Sequence, residues 1–194
     1  GKTIQDVLPQ ETLAKTEAVF DRLGLPLVIF SSFKPWVTAS TIVQMRMQQL
    51  GFSAELGLDS YFLRQAHDQG KPVEQLETAL KQVEMMNSIP EDLQIAMLED
   101  SLTGAAEFEA ELERMFAAWS AGNTGEMAAI ISGDELNAIL LIERNKAMAK
   151  TIASFIDSGG SYFIVIGAGH LVGEGNVREE LDWLGYPSRQ LCRD

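Results

Sequence analysis

Ser161-Tyr162-Phe163-Ile164-Val165-Ile166-Gly167-Ala168-Gly169-His170 is the stretch on which the fold class turns. Aromatic and β-branched side chains run unbroken from Tyr162 to Ile166, the composition of a strand buried on both faces of a sheet. Gly167 and Gly169 then allow a tight turn and close approach by another backbone or a ligand. The pattern therefore predicts a strand that presents His170 at its C-terminal end, where open α/β sheets gather their ligands. Gly167-x-Gly169 after a strand also has the start of a dinucleotide fingerprint, but the third glycine position, 172, is Val, and only one short αβ unit follows. NAD and FAD are poor candidates.

Upstream, the pattern predicts a long helix from about Glu135 to Asp157; downstream, an amphipathic helix around Val177 to Trp183 and an edge strand over Tyr186 to Leu191. Towards the N-terminus the period is mainly helical: Glu11 to Leu23, stopped by Gly24; Pro35 to about Leu50, with Gly51 beyond; and Leu58 to Gln69, closed by Gly70. Further helices are expected over Thr78 to Asn87, from Ser88 to about Leu102, and over Ala105 to Ala121. Capping-box spacing at Ser88 with Glu91, Asn123 with Glu126 and Ser132 with Glu135 marks three helix starts. Leu25 to Phe30 and Lys71 to Glu77 read as additional short strands. The expectation is an α/β (α+β) fold, a helix-rich domain around a small central β-sheet.

With 194 residues and 46% hydrophobic content, the chain can bury the core of one ordinary domain, so residues 1–194 read as a single globular unit. The formal charge of −13 is spread along the chain, and no Lys/Arg cluster suits a phosphate backbone, which argues against nucleic acid. Cys192 alone excludes an intrachain disulfide framework and a thiolate metal site. No apolar run approaches the ~18 residues of a membrane span, and Gly1-Lys2-Thr3 begins neither a signal nor a transit peptide. Lacking an initiator Met, the chain reads as a processed or excised piece.

The sharpest local conflict lies in the helix from Glu135 to Asp157. At about 100° per residue, Leu140, Leu141, Met148, Thr151, Ile152 and Phe155 share one face, and Arg144 falls near its centre. Such an Arg either snorkels out along its stem or meets a carboxylate, because an unpaired buried charge costs roughly several kcal/mol. Glu77 is the partner to expect: it ends the Lys71 to Glu77 segment, Thr78 caps the following helix, and Gln82 projects one turn further on. A structural ion pair and a site role are about equally supported by the helix alone. His67, beside Asp68 in a polar helical segment, reads as a surface residue.

Taken together, these residues resemble the TraB/GumN family, to which the Tiki membrane-associated metalloproteases are related. The matching words run through nearly the whole chain: Phe33-Lys34-Pro35-Trp36, Gly57-Leu58-Asp59 leading to Phe62, Gly70-Lys71-Pro72-Val73, Leu76-Glu77-Thr78 with Gln82, Ala118-Trp119 with Gly122, Glu143-Arg144-Asn145 with Met148, and Val165 to Gly173. The resemblance implies a small sheet flanked by helices and a site built from two Gly-x-x-His motifs plus acidic residues. Gly167 to His170 corresponds to the second motif, and no Gly-x-x-His precedes residue 167. By the same resemblance, His170 and Glu77 are metal ligands, and Glu77, Arg144 and Asn145 are catalytic or supporting residues. The implied cofactor is a divalent ion (Mn, Co or Zn), held in the full-length protein.

The implied activity is that of a metal-dependent, peptidase-like hydrolase acting on a peptide or small-molecule substrate, in a periplasmic or extracytoplasmic setting, with the present chain inactive alone. A non-catalytic binding or signalling protein on the same scaffold is the alternative, since a fold does not dictate its function. A crevice for a small ligand or haem is a third reading, for which Met85, Met86 and the aromatics fit a core better than a cofactor box. A sheet without its first strand would leave an edge open to a second copy, making a homo-oligomer a further expectation.

Overall fold

The computed structural model describes residues 3–131, 136 and 138–191. In chain order its helices are α1 (Ile4–Val7), α2 (Gln10–Leu23), α3 (Pro35–Gln49), α4 (Leu58–Asp68), α5 (Ala79–Ser88), α6 (Glu91–Ser101), α7 (Ala105–Ser120), α8 (Thr124–Ile131), α9 (Glu143–Asp157) and α10 (Val177–Trp183). The chain divides into two compact units, Gly1–Leu56 with Met86–Ala110, and Gly57–Met85 with Glu111–Asp194.

In the first unit α3 and α6 pack against each other. Ile4, Leu8, Val19, Phe20, Ala39, Ile42 and Leu98 form the core. Arg46 on α3 reaches across to the Thr103 carbonyl at 2.8 Å and lies over the Phe108 ring. The helix expected to start in a Ser88 capping box begins instead at Glu91 behind Pro90, and Ser88 ends α5. Proline lacks an N–H and has a fixed φ, which suits it to a helix entrance.

The second unit carries two apolar clusters. In one, Met148, Ala149, Ile152 and Ala153 of α9 meet Val177 and Leu181 of α10, with Leu76, Ile166 and Tyr186 against them. The small side chains of Ala149 and Ala153 let α10 approach closely. In the other, Ala118, Met127 and Val172 come together. Asn176 caps α10, its side chain accepting from the backbone N–H groups of Arg178 at 3.0 Å and Glu179 at 3.2 Å.

The expected central sheet is absent: the structure is helix-rich, and no β-strand occurs among the described residues. Strand propensity becomes a strand only when a neighbouring segment completes its hydrogen-bond ladder, and here the ladder has no second side. Leu27–Phe30 forms a 3₁₀ turn after Pro26, held by local bonds such as Ile29 N to Pro26 O at 3.1 Å. Residues 71–75 and 187–191 follow no regular path. Residues 161–166 run without turn or bend but pair with nothing described, and Phe163 is 75% exposed where a two-sided burial was expected.

The long helix expected from Glu135 is interrupted. Ala138–Ile142 forms a π-helical turn, and α9 continues from Glu143. The buried face of α9 centres on Asn145, Met148, Ala149 and Ile152 rather than on Arg144, because Asn145, Ala149 and Ala153, which the expected apolar stripe left out, are the residues buried there. The expected cap at Ser132 with Glu135, and Cys192, lie outside the described residues. No helix among those described is long and apolar enough to cross a membrane.

Candidate functional site

Glu77, Arg144, Asn145 and His170 all belong to the second unit. Glu77 stands just before α5, whose start is capped by the Thr78 hydroxyl accepting from Lys81 N at 3.3 Å. Arg144 and Asn145 are neighbours in the first turn of α9, so they point about 100° apart. Arg144 turns toward Glu77, whereas Asn145 turns into the interior and is 1% exposed. His170 is buried within the 3₁₀ turn Ala168–Leu171 that follows the unpaired segment.

The pair anticipated between Arg144 and Glu77 is formed. Arg144 Nε donates to Glu77 Oε1 at 2.9 Å and to Oε2 at 3.1 Å, while Nη2 donates to Oε2 at 2.8 Å. Its Nη1 donates to the Leu140 carbonyl at 2.9 Å, so the guanidinium also ties α9 to the π turn before it. A forked contact of this kind needs the planar guanidinium and cannot be reproduced by Lys. Burial pushes the Glu77 carboxyl up, but hydrogen bonds from Arg144 and Gln82, with the charges of Arg144 and His170, outweigh it and hold the group below its ordinary value.

The second contact is between His170 and Asn145. The Asn145 amide Nδ2 donates to the Gly175 carbonyl at 2.8 Å, which turns its Oδ1 toward His170 Nδ1 at 2.6 Å. An amide oxygen can only accept, so His170 carries its proton on Nδ1. Nε2 is left with its lone pair, and no described residue hydrogen-bonds to it. Burial, then the Arg144 charge, lowers the His170 pKa, with Glu77 pulling the other way. The ring is neutral near neutral pH, with one basic nitrogen open: the state of a general base or a metal ligand.

Sequence reasoning located these four residues and Gln82, but not Gly175 or the Leu140 carbonyl. Gly175 has φ +66°, a left-handed conformation that costs other residues energy, and a Cβ there would meet Ile142 at 3.5 Å. Its signal was the cluster Gly173-Glu174-Gly175-Asn176, legible as a turn but silent about which carbonyl it would aim. Conversely, neither Gly167 nor Gly169 has a positive φ, and a Cβ on Gly167 would lie 3.8 Å from His170, an ordinary contact.

As donors for a divalent ion, His170 Nε2 and Glu77 are two where about three protein ligands are usual. The Glu77 oxygens are already engaged by Arg144 and Gln82. No cluster of three or more His, Cys, Asp or Glu suited to a metal occurs among the described residues. His170 and Glu77 alone therefore fall short of the usual ligand number.

A family model described as the TraB/PrgY/gumN family matches residues 1–190. Two curated relatives, each called "Uncharacterized protein YbaP", from Escherichia coli (strain K12) and Shigella flexneri, are 28% identical over 183 residues, covering 93% of this chain and 68% of theirs. No solved structure matches the chain.

Proposed function

Because the chain belongs to the TraB/PrgY/gumN family, we propose that it carries part of a metal-dependent, peptidase-like hydrolytic site centred on His170. The observation that supports this reading is the fixed tautomer of His170, held by Asn145 and leaving Nε2 basic and free. In this reading His170 is a metal ligand, Glu77 is the second ligand, and Asn145 fixes the imidazole. Arg144 orients Glu77 and offers positive charge to an oxyanion or substrate carboxylate. A bound Mn, Co or Zn ion would supply an activated water. The substrate would be a peptide or another small molecule carrying a hydrolysable acyl bond.

The test is metal content and peptide hydrolysis of the purified chain and of the full-length protein with added Mn, Co or Zn, alongside His170→Ala and Glu77→Ala. Both variants are expected to lose metal and activity in the full-length protein. Unchanged metal content and turnover in both overturn the assignment. A non-catalytic binding scaffold is the competing reading, supported by the engagement of the Glu77 carboxylate by Arg144 and Gln82, which leaves it little capacity for a metal. A metal-free full-length protein that still binds a ligand through Arg144 would favour it.

A further inference from the structure

We infer that Glu179 is a positioning residue for His170: through Gly175 and Asn145 it decides which nitrogen of the imidazole carries the proton. The inference concerns the ring itself and does not depend on the hydrolytic reading.

Gly175 is held by side chains from two helices. Its N–H donates to Glu179 Oε2 of α10 at 2.8 Å, and its carbonyl accepts from Asn145 Nδ2 of α9 at 2.8 Å. A glycine needs such clamps. Without a Cβ it holds φ +66° no more firmly than the other conformations open to it, so its own covalent structure does not fix where the carbonyl points. Glu179 is the third residue of α10 after the Asn176 cap, a position from which a carboxylate ordinarily returns to the N–H of the cap residue. Here it reaches one residue further out and grips the loop. Asn176 holds other groups: the Gly173 carbonyl at 2.6 Å and the N–H groups of Arg178 and Glu179. Glu179 supplies the bond to Gly175.

The Gly175 carbonyl in turn decides the tautomer. An amide side chain has an oxygen on one side and an NH2 on the other, and Asn145 is oriented by the acceptor its Nδ2 meets. Asn145 is 1% exposed, so water offers no substitute acceptor. With the carbonyl in place, Oδ1 faces His170 Nδ1 at 2.6 Å, the proton sits on Nδ1 and Nε2 is basic. With the carbonyl displaced, the amide turns by about 180° and sets its NH2 against Nδ1, which must then accept. The Nδ1 proton is lost to solvent as Nε2 gains one, and the open nitrogen becomes a donor. Both arrangements keep a hydrogen bond between the two side chains, so the bond to Gly175 is what separates them. An exposed carboxylate on α10 thus keeps Nε2 able to accept a proton or a metal ion.

The NMR shifts of the two ring nitrogens of His170, read at about pH 8 where the imidazole is neutral, report the tautomer directly. The Nδ1–H form is expected to dominate in the unmodified chain. Glu179→Ala should lower the ratio of Nδ1–H to Nε2–H by about fivefold or more, with unchanged far-UV circular dichroism. Glu179→Asp keeps the charge and an acidic first turn but is one methylene too short for Gly175 N, and should lower the ratio likewise. Glu179→Gln keeps an oxygen at the same reach without the charge, and should retain most of the ratio. Glu174→Ala removes an exposed carboxylate from the same loop and should leave it unchanged. Should Glu179→Ala not fold, the Asp and Gln variants decide alone. A ratio unmoved by shortening Glu179 confines that residue to capping α10 and overturns the proposal. So does a ratio lost in Glu179→Gln but kept in Glu179→Asp, which would make the effect one of charge, or one shifted equally by Glu174→Ala. An unmodified chain with the proton on Nε2 overturns it outright.

Discussion

Asn145 Oδ1 lies 2.6 Å from His170 Nδ1, and the same amide holds the Gly175 carbonyl at 2.8 Å through Nδ2. One buried side chain thus sets both the tautomer of the histidine and the position of the loop after it. Asn145→Asp would place a negative charge beside Nδ1 and favour the protonated ring. The His170 pKa, now below 6.5, is expected to move upward past that value, and an NMR titration of the imidazole checks the direction. An unchanged or lower value would contradict the contact.

Arg144→Ala removes the partner of a largely buried carboxylate. The expected loss of stability is about 2 kcal/mol, read as a lower urea midpoint, because a carboxylate left unpaired keeps its desolvation cost. Arg144→Lys should recover only a fraction of it, since an ammonium cannot span both Glu77 oxygens and the Leu140 carbonyl together.

Acid should destabilise the fold in two overlapping steps. The folded-state pKa of His170 is depressed below 6.5, so the unfolded chain takes up that proton first. The contribution is complete above pH 6.5 and is lost as pH falls through the folded value. Glu77 is likewise depressed below 4.5, and its contribution is lost further into acid. Urea midpoints measured against pH should decline below 6.5, and His170→Gln should flatten the upper part of that decline only.

Gly175→Ala is expected to cost about 1–2 kcal/mol, because an L side chain at φ +66° is strained. Gly175→Asn should cost less, Asn being tolerant of the left-handed region. The informative readout is the His170 NMR titration of each variant, since a displaced Gly175 carbonyl frees the Asn145 amide to turn.

How much of this was legible varies with the kind of signal. Helix limits were, because Gly24, Gly51, Gly70 and Pro35 act on the backbone through their own covalent structure. The Glu77–Arg144 pair was also legible, since an Arg beside apolar neighbours either snorkels out or meets a carboxylate, and Glu77 ends a nearby segment. Strands were not: Tyr162 to Ile166 has the composition of one, but pairing depends on a second segment that no local pattern can supply. The face of α9 was misjudged because a projection of the large apolar residues counts Thr151 and Phe155 and passes over Asn145, Ala149 and Ala153, the small and polar side chains that are buried. Gly175 was invisible as a ligand of Asn145, for a carbonyl has no residue identity to read.

The segment that ends in His170 begins against the far end of α9. Tyr162 stacks on Phe155, its hydroxyl is 2.9 Å from Ser158 Oγ, and the Tyr186 hydroxyl is bound to Asp157. Arg144 and Asn145 occupy the opposite end of that helix, so it works as a strut clamped at both ends to one loop of chain. The chain from Ser158 to His170 is thus fastened at its start and at its finish to a single helix, so the spacing of those two attachments is set by the length of α9.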